Sequence, residues 1–294
     1  MLVDAGHEVV GTTRTSAKAA ALERAGAVPA VMEAFDEESV RRAVLDAAPE
    51  VVIHQLTALT KVGNLRKFDQ EFVTTNQLRT QTTDVLLAAA QEAGAKRLIA
   101  QSFTGWPNER VGGPVKREDD PLDPAPAKEA RETLAAIRHV EQTVPAAPGL
   151  EGLVLRYGAF YGPGTNLARG GHMLELVRKR RVPVVGGGGG IWSFTHISDA
   201  AAATVAALGR GAPGIYNIVD DDPAPVAEWL PALAQAVGAR PPRRVPAWMA
   251  RPLIGDHGVV MMTEQRGSSN AKAQWDLEWQ PAYPSWREGF RTGL

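Results

Sequence analysis

A repeated local pattern constrains this chain more than any other feature of its sequence. A helical stretch, an Ala-Gly pair and a β-branched apolar run follow one another at residues 19–32 and again at residues 82–101. Glycine just after a helix relieves the left-handed backbone that ends the last turn, and short apolar runs are typical of buried strands. Helices that alternate with such strands indicate a parallel sheet covered by helices on both faces. The pattern therefore predicts an α/β fold with a doubly wound parallel sheet.

The same reasoning places the elements along the chain. Strands are predicted at 8–13, 28–32, 51–56, 97–103, 152–157 and 215–219. Helices are predicted at 15–24, 37–47, 72–92, 129–143, 172–180 and 198–208. Beyond Asp222 repeated prolines interrupt the pattern, which predicts a smaller C-terminal α/β lobe of short helices and loops.

Composition excludes several classes of protein. The chain has no cysteine, which excludes disulfides, thiol nucleophiles and cysteine-bound metal, and its six histidines show no ligand spacing, so we expect no metal site. Lysine plus arginine (32) nearly balances aspartate plus glutamate (33), so we expect no nucleic-acid partner. No apolar stretch approaches the ~18 residues that a membrane helix needs. We expect a cytoplasmic protein that acts on a small molecule.

The first residues suggest that a central strand is absent from the chain as given. An Ala-Gly pair at Ala5-Gly6 precedes the first predicted strand, but the five residues before Gly6 are too few for a helix that crosses a sheet. In the doubly wound order 3-2-1-4-5-6, the strand expected before them lies between strands 2 and 4. Without it, either two apolar edges are exposed or the flanking strands pair directly. The only G-x-G-x-x-G, at Gly209, Gly211 and Gly214, follows a predicted helix and precedes a strand, the reverse of a phosphate-binding turn.

Several motifs resemble one enzyme family. They read GHEVVGTTR, PEVVIHQLTAL, KRLIAQSF, LVLRYGAFYGPGTN, PVVGGGGGIWSFTHISDAA and GIYNIVDDDP. In this order they resemble the extended short-chain dehydrogenase/reductases, the NAD-dependent epimerase/dehydratase family. The resemblance implies a Rossmann-like dinucleotide-binding domain at 1–165 that returns at about 191–220, and a substrate-binding lobe from 166–190 and 221–294. It also implies a homodimer formed through helices 72–92 and 129–143.

The resemblance also implies where a cofactor would bind. The stretch at the end of the first predicted strand, residues 12–15, carries no carboxylate. Thr13 with Arg14 suits a 2′-phosphate, so NADP(H) is favoured over NAD(H). The alternative is that Arg14 is only a solvent-facing strand end. By resemblance, Glu33 would lie near the adenine and Tyr157 beside the nicotinamide. The cofactor would also be lined by Gln55, Leu56 and Thr57.

The family's catalytic residues are only partly present. Members use a serine or threonine with a Y-x-x-x-K pair, in which the lysine lowers the pKa of the tyrosine. Ser102 stands in the place of the serine, with a strand-end cap as its alternative role. Counting back from Glu141, the place of the lysine holds Ile137 and that of the tyrosine holds Thr133. Isoleucine cannot shift a pKa by its charge, and threonine is no general base near neutral pH.

Substitutes for the missing pair would come from nearby loops. Lys116 and Tyr161 are the candidates, and their alternatives are a solvated lysine and a tyrosine packed beneath its turn. The leading hypothesis is an atypical NAD(P)-dependent oxidoreductase or epimerase/dehydratase-like enzyme acting on a small hydroxyl, carbonyl or nucleotide-sugar-like substrate. The alternatives are an NADP-binding sensor without hydride chemistry, and an N-terminally truncated inactive product.

Overall fold

The computed structural model describes residues 1–59 and 63–294. Its strands are β1 Val10–Thr13, β2 Val28–Val31, β3 Val51–His54, β4 Arg97–Phe103, β5 Val115–Lys116, β6 Glu151–Tyr157, β7 Ala159–Tyr161, β8 Val184–Val185, β9 Ile191–Trp192, β10 Phe194–His196, β11 Gly214–Ile218, β12 Ala224–Pro225, β13 Arg244–Val245 and β14 Gly267–Ser268. Its α-helices are α1 Ala19–Arg24, α2 Glu37–Ala47, α3 Phe68–Gln77, α4 Thr83–Glu92, α5 Arg131–Thr143, α6 His172–Arg178, α7 Ile197–Ala206, α8 Val226–Ala236, α9 Ala247–Thr263, α10 Ala271–Asp276 and α11 Trp286–Thr292.

The main sheet is parallel and has a hydrophobic layer on each face. Its strands lie in the order β3-β4-β6-β11, with Ile99 beside Ile53 and Leu153 in register. On one face Leu98 and its neighbours pack against α2, α4 and α5, and on the other face Ile99 and its neighbours pack against α7. Successive side chains of a strand point to opposite faces, which is why both layers form from one apolar run. The predicted α/β fold with a parallel sheet and helices on both faces is confirmed.

The sheet is interrupted between β1 and β3. β1 pairs in parallel with β2, and among the described residues no ladder joins β1 to β3. The two parts are held by their helices, because α2 packs on α4 and Arg41 on α2 bonds with Glu92 on α4. Val10 on β1 is 36% exposed. Of the two outcomes expected for a sheet without its central strand, the structure has the unpaired edges.

One predicted helix is divided in the structure. The helix predicted at 72–92 begins at Phe68, and a π turn at Leu78–Thr82 divides it into α3 and α4. A π turn frees backbone groups from the regular ladder, and here the Leu78 carbonyl accepts a bond from Nε2 of His54 at 3.2 Å. This contact comes from another strand, so local sequence could not reveal it. Beyond Asp222, α9 consists of two short helices that meet at a kink at Gly255 (φ 74°), so the predicted short helices are observed here.

The C-terminal residues form their own apolar cluster. It joins Tyr161 and Phe194 to Leu230 and Trp286, and it is separate from the layers that cover the main sheet. Asp220 lies under this cluster and accepts from the Trp286 N–H at 2.9 Å, so the end of the sheet is tied to α11. The predicted division at 166–190 and 221–294 stays a prediction.

Candidate active site

The carboxyl ends of the main strands carry a connected set of polar side chains. Nε2 of Gln55 donates to the Tyr157 hydroxyl at 3.0 Å, and that hydroxyl lies 2.7 Å from Oγ1 of Thr204 on α7. Nε2 of Gln101 donates to the Leu56 carbonyl at 3.1 Å. Burial raises the pKa of Tyr157, so its hydroxyl stays protonated. The structure thus brings together Gln55, Leu56 and Tyr157 from the predicted cofactor residues, whereas Thr57 is exposed beside them.

The remaining predicted cofactor residues lie across the interruption in the sheet. Thr13 ends β1, and Arg14 directly after it is exposed; no bond of its guanidinium to any described residue is present. Oγ1 of Thr13 donates weakly to the Thr15 carbonyl at 3.4 Å. Glu33 follows β2 with its side chain exposed, while its N–H donates to Oγ of Ser39 at 3.0 Å. The Arg14 guanidinium is therefore available to an anion at this edge.

Ser102 lies within a buried ionic network. Its Oγ donates to Oε1 of Glu141 at 2.8 Å, and Arg156 binds the same carboxylate through Nε at 2.7 Å and Nη2 at 2.6 Å. Arg156 is the in-register neighbour of Ser102 on β6, so both side chains point to the α5 face. Ser102 is only 3% exposed. Its geometry is that of a residue that fastens α5 to the sheet, and its catalytic role stays a prediction.

Lys116 and Tyr161 lie in separate environments from Ser102. Lys116 is buried on β5, with Nζ 3.6 Å from Oδ1 of Asp120. The alternative that Lys116 is solvated is therefore wrong, because pairing of β5 with β14 covers it. Tyr161 is fully buried among aromatic rings of the C-terminal lobe, and burial raises the pKa of its hydroxyl. Among the described residues, no hydrogen bond or salt bridge joins any two of the three candidate catalytic side chains.

Thr133 and Ile137, which counting back from Glu141 assigns to the family's tyrosine and lysine, are packing residues in the structure. Oγ1 of Thr133 donates to Oδ1 of Asp69 at 2.6 Å and accepts from Nδ2 of Asn76 at 3.1 Å. The same carboxylate accepts the Thr133 N–H at 2.8 Å, which ties the start of α5 to α3. Ile137 packs in an apolar cluster with Phe68 and is fully buried. Thus α5 presents no ionisable group in the place where the family's proton donor would lie.

Sequence reasoning missed the aromatic junction beside these positions. His257 on α9 packs against Phe68 with ring centroids 4.2 Å apart, and against Trp106 at 4.9 Å. It is 2% exposed, and burial lowers its pKa to about 4. These residues are far apart in the chain, so no local pattern could have joined them. His257 is thus a neutral group where the C-terminal lobe meets the start of α5.

The described residues contain no cluster of three or more His, Asp or Glu side chains that could hold a metal ion. In the part of the chain that the structure describes, none of the helices is both long and apolar enough to cross a bilayer.

Comparison with known proteins assigns the family. Residues 1–219 match the family model described as "NAD dependent epimerase/dehydratase family". The chain belongs to this family. It is 43% identical over 289 residues to a 3-diazoavenalumate denitrifying reductase from Streptomyces sp, which covers 97% of this chain and 91% of that protein.

Solved structures agree on the fold. A UDP-glucose 4-epimerase from Thermus thermophilus in complex with NAD superposes with a TM-score of 0.73 at 23% identity, covering 99% of this chain and 91% of that one. A human epimerase family protein with NADPH superposes with a TM-score of 0.71 at 17% identity, covering 97% and 98%. Both likenesses are below 25% identity and show the Rossmann-like fold alone.

Proposed function

We propose that this protein is an NADP(H)-dependent reductase that removes nitrogen from a diazo-bearing substrate. The observation that carries the proposal is the occupation of the tyrosine and lysine places by Thr133 and Ile137, a hydrogen-bonded and a fully buried apolar side chain. The printed name of the 43% identical relative, a denitrifying reductase of a diazo compound, supplies the reaction class. Membership of the family supports a nicotinamide cofactor.

The chemistry explains why a proton donor is dispensable. Reduction of a carbonyl by hydride leaves an alkoxide, which must take a proton from a nearby acid. A diazonium group, R–N₂⁺, instead becomes neutral R–N=NH when hydride adds to its terminal nitrogen. Loss of N₂ from this species breaks its C–N and N–H bonds and forms a C–H bond, with the hydrogen passing from nitrogen to carbon. The sum, R–N₂⁺ plus H⁻ giving R–H plus N₂, therefore consumes no further proton. A site without an ionisable residue on α5 is therefore sufficient for this reaction.

The residues present fit the two ends of a nicotinamide dinucleotide. When bound, the reduced cofactor supplies the hydride. Arg14 and Thr13, with an unengaged guanidinium and a hydroxyl, would hold a 2′-phosphate, and Glu33 would lie toward the adenine. At the other end Gln55, with Leu56 and Thr57, would line the nicotinamide side, and Tyr157 would orient the Gln55 amide. The bonded Gln55–Tyr157–Thr204 chain keeps that end fixed before any ligand arrives.

The experiment is a turnover assay with an arenediazonium salt and NADPH. We expect oxidation of NADPH, release of one N₂ per NADPH and the denitrified product. A panel of ketones and aldehydes, including nucleotide-sugar ketones, should give no turnover. If NADPH binds but neither panel is reduced, the proposed reductase activity is wrong and the protein is an NADP-binding sensor. Turnover of the carbonyl panel alone would instead indicate that another residue, such as Lys116 or Tyr161, supplies the proton.

Arg14 tests the choice of cofactor. Arg14→Gln keeps a polar side chain but removes the charge, so the affinity for NADPH should fall roughly ten-fold or more because a charge-assisted bond is lost. The affinity for NADH should not change. Calorimetric titration of both cofactors measures this, with Arg24→Gln, an exposed arginine at the end of α1, as the matched control. Equal losses for NADPH and NADH would contradict the role of Arg14.

We also propose a cytoplasmic homodimer whose partners are small-molecule substrates, with no nucleic acid or membrane involved. The balanced charge supports this proposal, and so does the arrangement of α4 and α5. These two helices lie side by side, joined by Nε2 of His139 and Oδ1 of Asp84 at 2.7 Å. Light scattering of the purified protein should give twice the 31.4 kDa chain mass.

A further inference from the structure

Three rings meet where the main sheet joins the C-terminal lobe. Phe68 comes from the start of α3, Trp106 from the turn after β4, and His257 from α9. Their centroids are 4.2 to 5.3 Å apart, with Trp106 edge-on to both of the others. All three side chains are buried. Since Ile137 packs in the same cluster, the rings lie beside the place that the family's proton donors would occupy.

The buried polar atoms around these rings lack partners. His257 is almost completely buried, and its Nε2 has no hydrogen-bond partner among the described residues. The same holds for Oε2 of Glu129 and Oε1 of Gln265. Each such group destabilises the structure, because it has lost its bonds to water and gained no partner. A ligand that offers hydrogen-bond donors or positive charge would remove that cost.

The unpaired atoms of Glu129 and Gln265 lie close to the chain segments that carry the three rings. A Cβ built on Gly255, two residues before His257, would lie 3.3 Å from Oε1 of Glu129. A Cβ on Gly105, next to Trp106, would lie 3.1 Å from Nε2 of Gln265. The unpaired acceptors thus border the rings from both the α9 side and the β4 side.

The charge at this junction is negative and unbalanced. Neither Asp69 nor Glu129 forms a salt bridge with a described lysine, arginine or histidine. Arg66 lies close to Gly255 through its Cα and Cγ, yet its guanidinium forms no salt bridge with Glu129. His257 cannot supply the missing charge near neutral pH, because burial lowers its pKa to about 4.

We propose that Phe68, Trp106 and His257, with the carboxylates of Asp69 and Glu129 at their border, form a subsite for the cationic head of a flat substrate. The inference rests on the proposed reductase function, for which that head is the diazonium group. Ring faces attract cations, and carboxylates that form no salt bridge strengthen the attraction where water is excluded. Binding of the ligand between the rings requires Trp106 to separate from His257, because their centroids are only 4.9 Å apart. Once hydride has neutralised the head and N₂ has left, the product has no charge for the subsite to hold.

The test compares two ligands of one shape. (3-Hydroxyphenyl)trimethylammonium carries one positive charge, and 3-tert-butylphenol is its neutral counterpart. Titration calorimetry of the whole protein at low salt should show the cation binding about ten-fold more tightly. Glu129→Gln should remove most of this preference and leave binding of the neutral phenol unchanged. Glu264→Gln, which alters an exposed acid paired with Arg110, should leave both affinities unchanged.

Two results would overturn the subsite. One is equal binding of the two ligands, or binding of neither, by the folded protein. The other is a cation preference that survives Glu129→Gln. Trp106→Phe keeps a ring and should weaken the cation two- to five-fold, since tryptophan is the strongest cation binder; thermal unfolding of each variant checks that it is folded. Because these titrations need no cofactor and no turnover, failure of the subsite is distinguishable from failure of the diazonium assay.

Discussion

Replacing Ser102 by alanine separates an anchoring role from a catalytic one. Its Oγ donates to a carboxylate that Arg156 also binds, and Ser102, Glu141 and Arg156 are all buried. A hydrogen bond to a charged group contributes about 1.5–3 kcal/mol. Arg156 continues to pair with Glu141 after the change, so the loss should stay in that range. At an unfolding entropy of roughly 2.1 cal/mol/K per residue, a chain of 294 residues should lose about 2–5 °C in Tm.

The assay measures unfolding and turnover on the same preparations. Ser102→Ala should lower Tm while kcat of the folded fraction stays within about two-fold of the unchanged protein, because Oγ points to α5. Ser269→Ala is the matched control, since its Oγ only accepts a 3.3 Å bond from a backbone N–H in an exposed turn. The anchoring argument is refuted if Ser102→Ala leaves Tm unchanged and lowers kcat by the ~100-fold typical of a lost proton-transfer or positioning group.

Three further changes test other parts of the structure. Burial lowers the pKa of His54 and His257 to about 4. As the pH falls, these histidines are therefore protonated in the unfolded chain before they are protonated in the folded protein. Stability should therefore fall as pH drops from about 6.5 to 4, by roughly 3 kcal/mol per histidine. Urea titrations at several pH values should show that His257→Phe halves this loss. If the variant loses as much stability at low pH as the unchanged protein, the argument is wrong. Gly152→Ala places a methyl group on the Val144 carbonyl and should destabilise by more than about 3 kcal/mol, or prevent folding, as judged by circular dichroism. Thr133→Val removes a hydroxyl that bonds to α3, so it should cost about 1–3 kcal/mol in unfolding free energy but leave turnover intact; a loss of turnover would restore Thr133 as a catalytic candidate.

The sequence was sufficient for features that depend on local periodicity. The strand over 97–103 and the helix over 37–47 are observed with the predicted bounds, because apolar spacing and the Asp36 cap define them locally. The interruption beside β1 was foreseen as well, since a parallel sheet needs its central strand. By contrast, the π turn at Leu78–Thr82 depends on a bond from His54, which lies 24 residues away. Such a contact leaves no periodic signal.

The candidate site was predictable only where backbone position decides it. Gln55 and Tyr157 follow buried parallel strands, and the ends of such strands meet at one edge, so their contact could be expected. The side chains of a strand alternate between the two faces of the sheet. The motif that selected Ser102 does not say which face the Ser102 hydroxyl occupies. The junction around His257 could not be predicted from local patterns, because its three rings come from distant segments. Phe68 and Trp106 are about 40 residues apart, and Trp106 and His257 are about 150 residues apart.

The interruption of the sheet and the substitutions on α5 affect different parts of the site. The edges of β1 and β3 that face each other are unpaired. In the family, the strand that would lie between β1 and β3 is followed by the glycine-rich turn, so this interruption affects how the phosphates of a dinucleotide would be held. In the proposed reaction, Thr133 and Ile137 would concern what happens to the substrate after hydride transfer. A protein that had only lost function would be expected to leave the vacated catalytic place poorly filled. Here the place of the tyrosine makes three hydrogen bonds to α3 and that of the lysine is fully buried. Well-satisfied packing at both places supports a site adapted to a reaction without proton donation, rather than one in decay.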